Sequence, residues 1–189
     1  QNFLTDERIA GKIIDALELK ADDTVIEIGP GLGMLTERLL DVAAKVLVIE
    51  IDKGFSDILH KRFGSRDNFE IINKDALKVS YKGLAGGYGK RFKVVSNLPY
   101  NISTPIIFKL IEERKMFSMF LLMLQKEVAK RIVSKPDTKE YGVLSIFVQL
   151  FADVNIEFDV PPSSFYPKPN VYSSVVRFVM LQKPRVDID

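Results

Sequence analysis

The sequence has 189 residues, of which 47% are hydrophobic and 28% are charged, and its formal net charge is +2. A chain of this length and apolarity can bury a complete core as one domain. It contains no cysteine and one histidine, His60, which excludes a disulfide framework and a thiolate zinc site and argues against a metal centre. No apolar run reaches about 18 residues, so we expect no membrane-spanning helix and a cytoplasmic location.

The hydrophobic pattern alternates between helix-like and strand-like segments along the chain. Residues 6–18 have apolar side chains at helical spacing, with Thr5 as the candidate N-cap, and a short apolar run follows at 24–28. The next predicted elements are a helix at 35–42, a strand at 45–51, a helix at 55–63, a strand at 69–73, a glycine-rich loop at 82–89, a strand at 92–96, a helix at 105–113, a strand at 117–124, helices at 127–133 and 143–151, and strands at 154–158 and 175–180. This alternation predicts an α/β fold with a parallel, doubly wound sheet and helices on both faces. A proline-rich loop joins the last two strands, which predicts an antiparallel hairpin at one edge.

A basic stretch lies between residues 126 and 139. Two acidic residues oppose its five cations, which are Lys126, Lys130, Arg131, Lys135 and Lys139. Such a stretch either faces phosphates or forms the solvated face of a helix, and the sequence leaves both interpretations open.

Three features follow the first three predicted strands, where ligands bind in such a sheet. The first is the loop Gly-Pro-Gly-Leu-Gly at 29–33, whose spacing differs from the Gly-x-Gly-x-x-Gly of dinucleotide-binding folds. The second is Glu50, which suits two ribose hydroxyls unless it is a surface carboxylate. The third is Asp75 with Ala76; the Asp75 carboxylate either binds an adenine amino group or caps a helix. Because no phosphate-binding lysine follows the loop, the set predicts S-adenosylmethionine rather than NAD or ATP.

The fourth strand is followed by Asn97-Leu98-Pro99-Tyr100. An amide, a proline and an aromatic ring at a strand end indicate a pocket for a planar, amine-bearing base. The Asn97 side-chain oxygen and the Leu98 carbonyl are suitable acceptors for the amine, and Pro99 stiffens the turn that aims them. Tyr100 is a candidate for stacking on one face of the base and Phe165 for the other, although Phe165 would also serve to plug its loop.

These motifs resemble those of the ribosomal RNA small-subunit adenine N6-dimethyltransferase family, in its bacterial form. The matching stretches are Gln-Asn-Phe-Leu at 1–4, Glu-Ile-Gly-Pro-Gly-Leu-Gly at 27–33, Asn-Leu-Pro-Tyr at 97–100, Gln-Lys-Glu-Val-Ala at 125–129 and Phe-Tyr-Pro-Lys-Pro-Asn-Val-Tyr-Ser at 165–173. The erythromycin-resistance methyltransferases of large-subunit RNA are the alternative. They usually lack this form of the glycine loop and have isoleucine where this chain has Leu98, so we favour the small-subunit family.

The resemblance implies a Rossmann-like class I S-adenosylmethionine-dependent methyltransferase. Its sheet would be seven-stranded and mostly parallel, with a C-terminal antiparallel hairpin. The implied activity is dimethylation of the exocyclic N6 of adenines in a small-subunit ribosomal RNA loop, with a role in assembly of the small ribosomal subunit. We expect S-adenosylmethionine as the methyl donor, no metal, and a monomer.

Carried over by position, the resemblance also implies a set of donor-binding residues. Asn2 and Leu4 would fold over the methionine end of the donor. Gly29 and Gly31 would border the same end.

At the other end of the donor, Glu50 would hold the ribose. Asp75, with Ala76 beside it, would hold the adenine of the donor. Asn97 would lie near the methyl group that is transferred.

The family pattern extends beyond this sequence at both ends. Its members usually have a short basic leader and a C-terminal helical domain that contacts RNA, so we expect residues 1–189 to be the catalytic domain of a longer protein. Two further classes stay open: a non-catalytic RNA-binding assembly factor on the same fold, and a dehydrogenase, which the glycine spacing disfavours.

Overall fold

The computed structural model describes residues 2–85, 87–88 and 91–186, and within them it forms a seven-stranded sheet and a two-stranded sheet. The strands are β1 (Phe3–Leu4), β2 (Thr24–Ile28), β3 (Lys45–Glu50), β4 (Phe69–Asn73), β5 (Phe92–Asn97), β6 (Phe117–Gln125), β7 (Ala152–Val160), β8 (Phe165–Tyr166) and β9 (Ser173–Met180). The helices are α1 (Glu7–Ala16), α2 (Met34–Leu40), α3 (Lys53–Phe63), α4 (Tyr81–Ala85), α5 (Ser103–Glu112), α6 (Lys126–Val133) and α7 (Val143–Phe151). No helix in these ranges is long and apolar enough to cross a membrane.

The large sheet has the strand order β4-β3-β2-β5-β6-β9-β7. Strands β2 to β6 run parallel to one another, whereas β9 is antiparallel to both β6 and β7. This arrangement confirms the predicted mostly parallel sheet and its antiparallel hairpin at one edge. The strand order reverses at β2, which lies between β3 and β5, and such a switch point is where ligands bind in open α/β sheets.

Two apolar cores cover the two faces of this sheet, as the predicted doubly wound fold requires. Successive residues of β3 point to opposite faces, so Val46 and Val48 pack in the core under α1, α2 and α3. Leu47 and Ile49 pack in the core formed with α5, α6 and α7. A strand that is buried on both faces explains the continuous apolar run in the sequence.

The first helix begins one residue later than the sequence predicts. Asp6 is its N-cap, because the Asp6 carboxylate accepts hydrogen bonds from the backbone N–H groups of Arg8 and Ile9. The prediction of Thr5 as the N-cap was wrong. The backbone N–H and the hydroxyl of Thr5 both donate to the carbonyl of Ser164, at 2.9 and 3.2 Å.

The predicted glycine-rich loop at 82–89 is partly helical. Helix α4 occupies its first residues because Tyr81, just before the predicted loop, is completely buried, with its ring 5.2 Å from that of Phe117. Residues 86, 89 and 90 lie outside the described part of the chain.

The two-stranded sheet joins segments that are far apart in sequence. Strand β1 pairs with β8 in antiparallel register, with Phe3 opposite Tyr166 and Leu4 opposite Phe165. The sequence pattern did not predict these short strands. Their pairing brings the N-terminal motif against the motif that begins at residue 165; Gln1 of the N-terminal motif lies outside the described residues.

The glycine at the start of α2 allows a direct test of this packing. Gly33 has a φ of +85°, and a Cβ atom there would lie 2.8 Å from side-chain carbons of both Leu59 and Phe63. We expect Gly33→Ala to lower the free energy of unfolding by about 2–4 kcal/mol, because it adds left-handed strain to overpacking. The measurement is urea denaturation.

A second glycine provides the matched control. Gly11 lies inside α1, and a Cβ atom there would have no neighbour within 4 Å. Gly11→Ala should therefore stabilise the chain by up to about 1 kcal/mol through helix propensity. Equal effects of the two substitutions would contradict the described geometry.

Candidate active site

The carboxyl ends of three neighbouring strands, β3, β2 and β5, lie side by side. In the parallel register, Ile28 of β2 lies opposite Ile49 of β3 and Ser96 of β5. The backbone N–H of Gly29 donates to the Ile49 carbonyl at 2.9 Å, and the Ser96 hydroxyl donates to the Ile28 carbonyl. The glycine loop and the residues that end β3 and β5 are thereby held side by side.

At Gly31 the glycine loop approaches Phe3 more closely than a side chain would allow. Gly29 and Gly31 have φ values of +66° and +57°, in the left-handed region that favours glycine. A Cβ atom on Gly31 would lie 2.8 Å from the ring of Phe3, whereas one on Gly29 would have no neighbour within 4 Å. The ring of Phe3 therefore lies directly on the loop, and Phe3 also contacts the ring of Phe55 edge-on at 5.5 Å.

Glu50, the last residue of β3, is buried, with only 4% of its surface exposed. Its Oε1 atom accepts a hydrogen bond from the Asp52 N–H at 2.8 Å, and burial raises the pKa of Glu50. Its Oε2 atom is also buried and has no hydrogen-bond partner among the described residues. Buried oxygens are normally paired, so this unpaired atom makes Glu50 a candidate ligand contact, although Glu50 borders neither of the cavities beside Asn97. The burial of Glu50 shows that the alternative of a surface carboxylate is wrong.

A second buried carboxylate, Glu27, lies in the middle of β2. Its Oε2 atom accepts a hydrogen bond from the Thr36 hydroxyl at 2.6 Å. Burial raises the pKa of Glu27 to about 7, and the nearby carboxylate of Glu50 adds to the increase. Sequence reasoning assigned no role to Glu27, although a carboxylate within an otherwise apolar strand was a usable signal.

The side chain of Asn97 is oriented by the N-terminal segment. Its Nδ2 atom donates to the backbone carbonyl of Asn2 at 3.0 Å. Since a carbonyl only accepts, this bond fixes the amide, and Oδ1 is the remaining acceptor. Within the described part of the chain, Oδ1 makes no hydrogen bond.

Two cavities meet at Asn2 and Asn97. The smaller, about 30 Å³, lies over the glycine loop, and the residues that border it include Phe3, Leu4, Glu27, Gly29 and Gly31. The larger, about 250 Å³, is bordered on its other sides by Leu98, Pro99, Tyr100, Asn101 and Phe165. Asn97 is thus placed between a space beside the glycine loop and a space beside the aromatic residues.

The two aromatic candidates differ in exposure. Tyr100 is half-buried, and its hydroxyl lies 3.3 Å from the Ser173 hydroxyl. Phe165 is only 5% exposed and packs in the same core as Leu4, so it plugs its loop as well as bordering the cavity. Its role as a clamp for a base stays a prediction.

Asp75 and Ala76 follow β4 but border neither of the two cavities. The Asp75 carboxylate accepts a hydrogen bond from the Leu77 N–H at 2.9 Å and caps a short 3₁₀ turn. Ala76 is buried, and its carbonyl accepts from the Tyr81 hydroxyl. The contact of Asp75 and Ala76 with a donor adenine therefore stays a prediction.

Comparison with known proteins identifies the family. A family model described as ribosomal RNA adenine dimethylase matches residues 1–189. The chain belongs to the ribosomal RNA adenine dimethylase family. This membership confirms the family predicted from the sequence motifs.

The similarity to individual dimethylase relatives extends over the whole chain. The ribosomal RNA small subunit methyltransferase A of Geobacter metallireducens is 44% identical over 189 residues, which cover 100% of this chain and 69% of the relative. A dimethyladenosine transferase from Plasmodium falciparum superposes with a TM-score of 0.86 at 37% identity, covering 95% of this chain and 64% of that one. The 23S rRNA methyltransferase ErmE superposes with a TM-score of 0.82 at 27% identity, covering 99% of this chain and 73% of that one.

These neighbours confirm the predicted Rossmann-like class I methyltransferase fold. The chain spans about two thirds of the length of the relatives it matches.

The buried Glu27 predicts a pH dependence of stability. Its pKa of about 7 in the folded chain lies above the ordinary 4.5, so the folded state holds this proton more tightly than the unfolded state. The contribution of Glu27 to stability is fully present below pH 4.5 and is lost as the pH rises to about 7.

We expect Glu27→Gln, which keeps an acceptor for Thr36, to remove this loss. The free energy of unfolding of Glu27→Gln minus that of the original chain should be about 2–3 kcal/mol larger at pH 8 than at pH 5. Urea denaturation at the two pH values without ligand measures the difference. Glu112→Gln, at an exposed carboxylate, is the control and should show no such change; parallel pH profiles of the original chain and Glu27→Gln would contradict the prediction.

Proposed function

We propose that this chain transfers methyl groups from S-adenosylmethionine to the exocyclic N6 of adenines in a loop of small-subunit ribosomal RNA, and that it acts in assembly of the small ribosomal subunit. In this proposal residues 1–189 are the methyltransferase domain. The observation that carries it is the position of Asn97 between two cavities, with its Nδ2 atom held by Asn2 and its Oδ1 atom unused. A group that accepts from the target amine must lie between the donor site and the base site.

The donor would lie along the edge formed by the glycine loop and Glu50. When bound, S-adenosylmethionine supplies an electrophilic methyl group on a sulfonium centre. The unpaired Oε2 atom of Glu50 fits a ribose hydroxyl, and the left-handed backbone at Gly29 and Gly31 lets a ligand approach closely. The cavity of about 30 Å³ over the glycine loop is far smaller than a nucleoside needs, and Glu50 does not border it. The donor would therefore extend beyond this cavity towards the end of β3.

The acceptor amine is a weak nucleophile because its lone pair is delocalised into the adenine ring. The Oδ1 atom of Asn97 and the carbonyl of Leu98 can accept hydrogen bonds from its two protons. These bonds favour a pyramidal nitrogen whose lone pair points towards the donor side of Asn97. A strong base is not needed, since the nitrogen becomes acidic once methylated and its proton can leave to solvent. The contribution of the chain is then positioning and electrostatics.

The aromatic side of the larger cavity would hold the target base. Tyr100 presents a half-buried ring whose hydroxyl is held by Ser173, and a base stacked on such a ring gains about 1–3 kcal/mol. Pro99 precedes it and restricts the turn. An adenine within a duplex could not enter this space without leaving its stack, so an unpaired adenine is the expected substrate.

Relatives support this choice of RNA. The protein from Geobacter metallireducens is named as a small-subunit methyltransferase, whereas ErmE, at lower identity, is named as a 23S rRNA methyltransferase. The large-subunit activity and a non-catalytic role in assembly are the alternative outcomes of the following test.

The test is mass spectrometry of ribosomal RNA after incubation of unmodified small and large subunits with the chain and isotopically labelled S-adenosylmethionine. We expect dimethyladenosine in small-subunit RNA only. Asn97→Ala removes an acceptor of the amine, so the rate of transfer should fall by roughly 100-fold or more. Asn155→Ala, at an exposed position of the edge strand β7, is the matched control and should retain full activity.

Label in large-subunit RNA alone would favour the erythromycin-resistance type of activity. An absence of label in both RNAs would refute catalysis. An Asn97→Ala variant as active as the control would leave the proposed role of Asn97 without support.

A further inference from the structure

A cavity of about 910 Å³ lies beside the candidate active site. It is formed by α5, the exposed face of α6 and the segment that leads into α7. We call it the basic groove and define it by Thr104, Phe108, Lys130, Arg131, Lys139 and Tyr141. Its volume lies within the range of about 300–1,000 Å³ that is typical of ligand sites.

Three cations of the basic groove form no salt bridge with a described carboxylate, although Lys130 is close enough to Asp159 to help lower the pKa of that carboxyl. Within the described ranges, no carboxylate oxygen lies within 4.0 Å of the cationic nitrogens of Lys130, Arg131 or Lys139. Lys126, which also borders the groove, is instead paired with Asp159 at 2.5 Å. Glu127 and Glu140 are the acids at its border, so three cations without a salt bridge face two carboxylates. A solvated helix face would show the same charges without a cavity between them.

The basic groove adjoins the cavity proposed for the target adenine. Asn101 borders the adenine cavity, and Thr104, three residues further along the chain, borders the groove. The Ser103 hydroxyl donates to the Tyr100 carbonyl at 3.1 Å, which ties the start of α5 to the base site. On the other side, the backbone N–H of Lys126 donates to the carbonyl of Tyr172 at 3.0 Å.

A nucleotide chain that leaves the adenine cavity on this side must therefore pass the groove. Its charge and shape suit a sugar–phosphate backbone, because unpaired exposed cations bind phosphates and the half-buried rings of Phe108 and Tyr141 provide apolar wall for sugars. We propose that the basic groove binds the phosphates of single-stranded RNA adjoining the target adenine. This inference rests on the proposed function for the identity of the target, and it resolves the two interpretations that the sequence left open for the basic stretch.

The test compares RNA binding by the 189-residue chain with binding by two triple variants. The groove variant is Lys130→Gln with Arg131→Gln and Lys139→Gln. The control variant removes the same charge from three exposed lysines far from the groove, by Lys20→Gln with Lys61→Gln and Lys115→Gln. Fluorescence anisotropy with a short, fluorescein-labelled, adenine-containing single-stranded RNA gives the dissociation constant over a series of salt concentrations, without methyl donor.

Three lost phosphate contacts should reduce the slope of log K against log salt by about 2, since each contact on a single strand contributes about 0.7. At 0.1 M salt this corresponds to a roughly 100-fold weaker complex for the groove variant. The control variant, which changes only distant charge, should lose less than about threefold. Thermal unfolding curves that match those of the original chain establish that both variants are folded.

Equal losses in the two variants, or a slope that does not change in the groove variant, would overturn the inference. An original chain that does not bind the RNA at all would overturn it as well. Because binding is measured without transfer, a groove-dependent affinity in a chain that methylates no RNA would support the groove while refuting the proposed function.

Discussion

The parallel hydrogen bonding of β2 to both β3 and β5 is the constraint on which the rest of the structure depends. It places Ile28 directly opposite Ile49 and Ser96, so that the loops after the three strands begin next to one another. This register brings the glycine loop, Glu50 and Asn97 together. A shift of one residue would turn each strand's side chains to the opposite face and separate these groups.

The N-terminal segment connects the two halves of the site. Its β1 strand pairs with β8, which carries Phe165, and the Asn2 carbonyl orients Asn97. The same segment places Phe3 on the glycine loop. The segment therefore contacts both the glycine loop and Asn97. Burial of the Glu27 and Glu50 carboxylates lowers the stability of the folded chain when they are charged. Buried groups with shifted pKa values are common in ligand-binding and catalytic sites.

The spacing of apolar residues predicted the alternating helices and strands of the large sheet. It also predicted Glu50 and Asn97 as candidate site residues, because each lies at the end of a buried strand. It did not predict β1 and β8, since each is two residues long and is specified by a partner more than 150 positions away. The same long-range pairing explains the error at Thr5, which bonds to Ser164. Asp75 shows a further limit of prediction from sequence. A carboxylate at this position can either cap a helical turn or bind a ligand, and the structure shows the cap.

Calorimetric titration tests whether the strand ends beside the glycine loop and Glu50 bind a nucleoside methyl donor. We expect the chain to bind S-adenosylmethionine and not NAD. Glu50→Gln, which replaces the unpaired Oε2 acceptor by an amide nitrogen, should bind roughly 10–100-fold more weakly, and the exposed-site control Glu112→Gln should bind normally. Binding of NAD alone, or an affinity for S-adenosylmethionine that Glu50→Gln leaves unchanged, would contradict it.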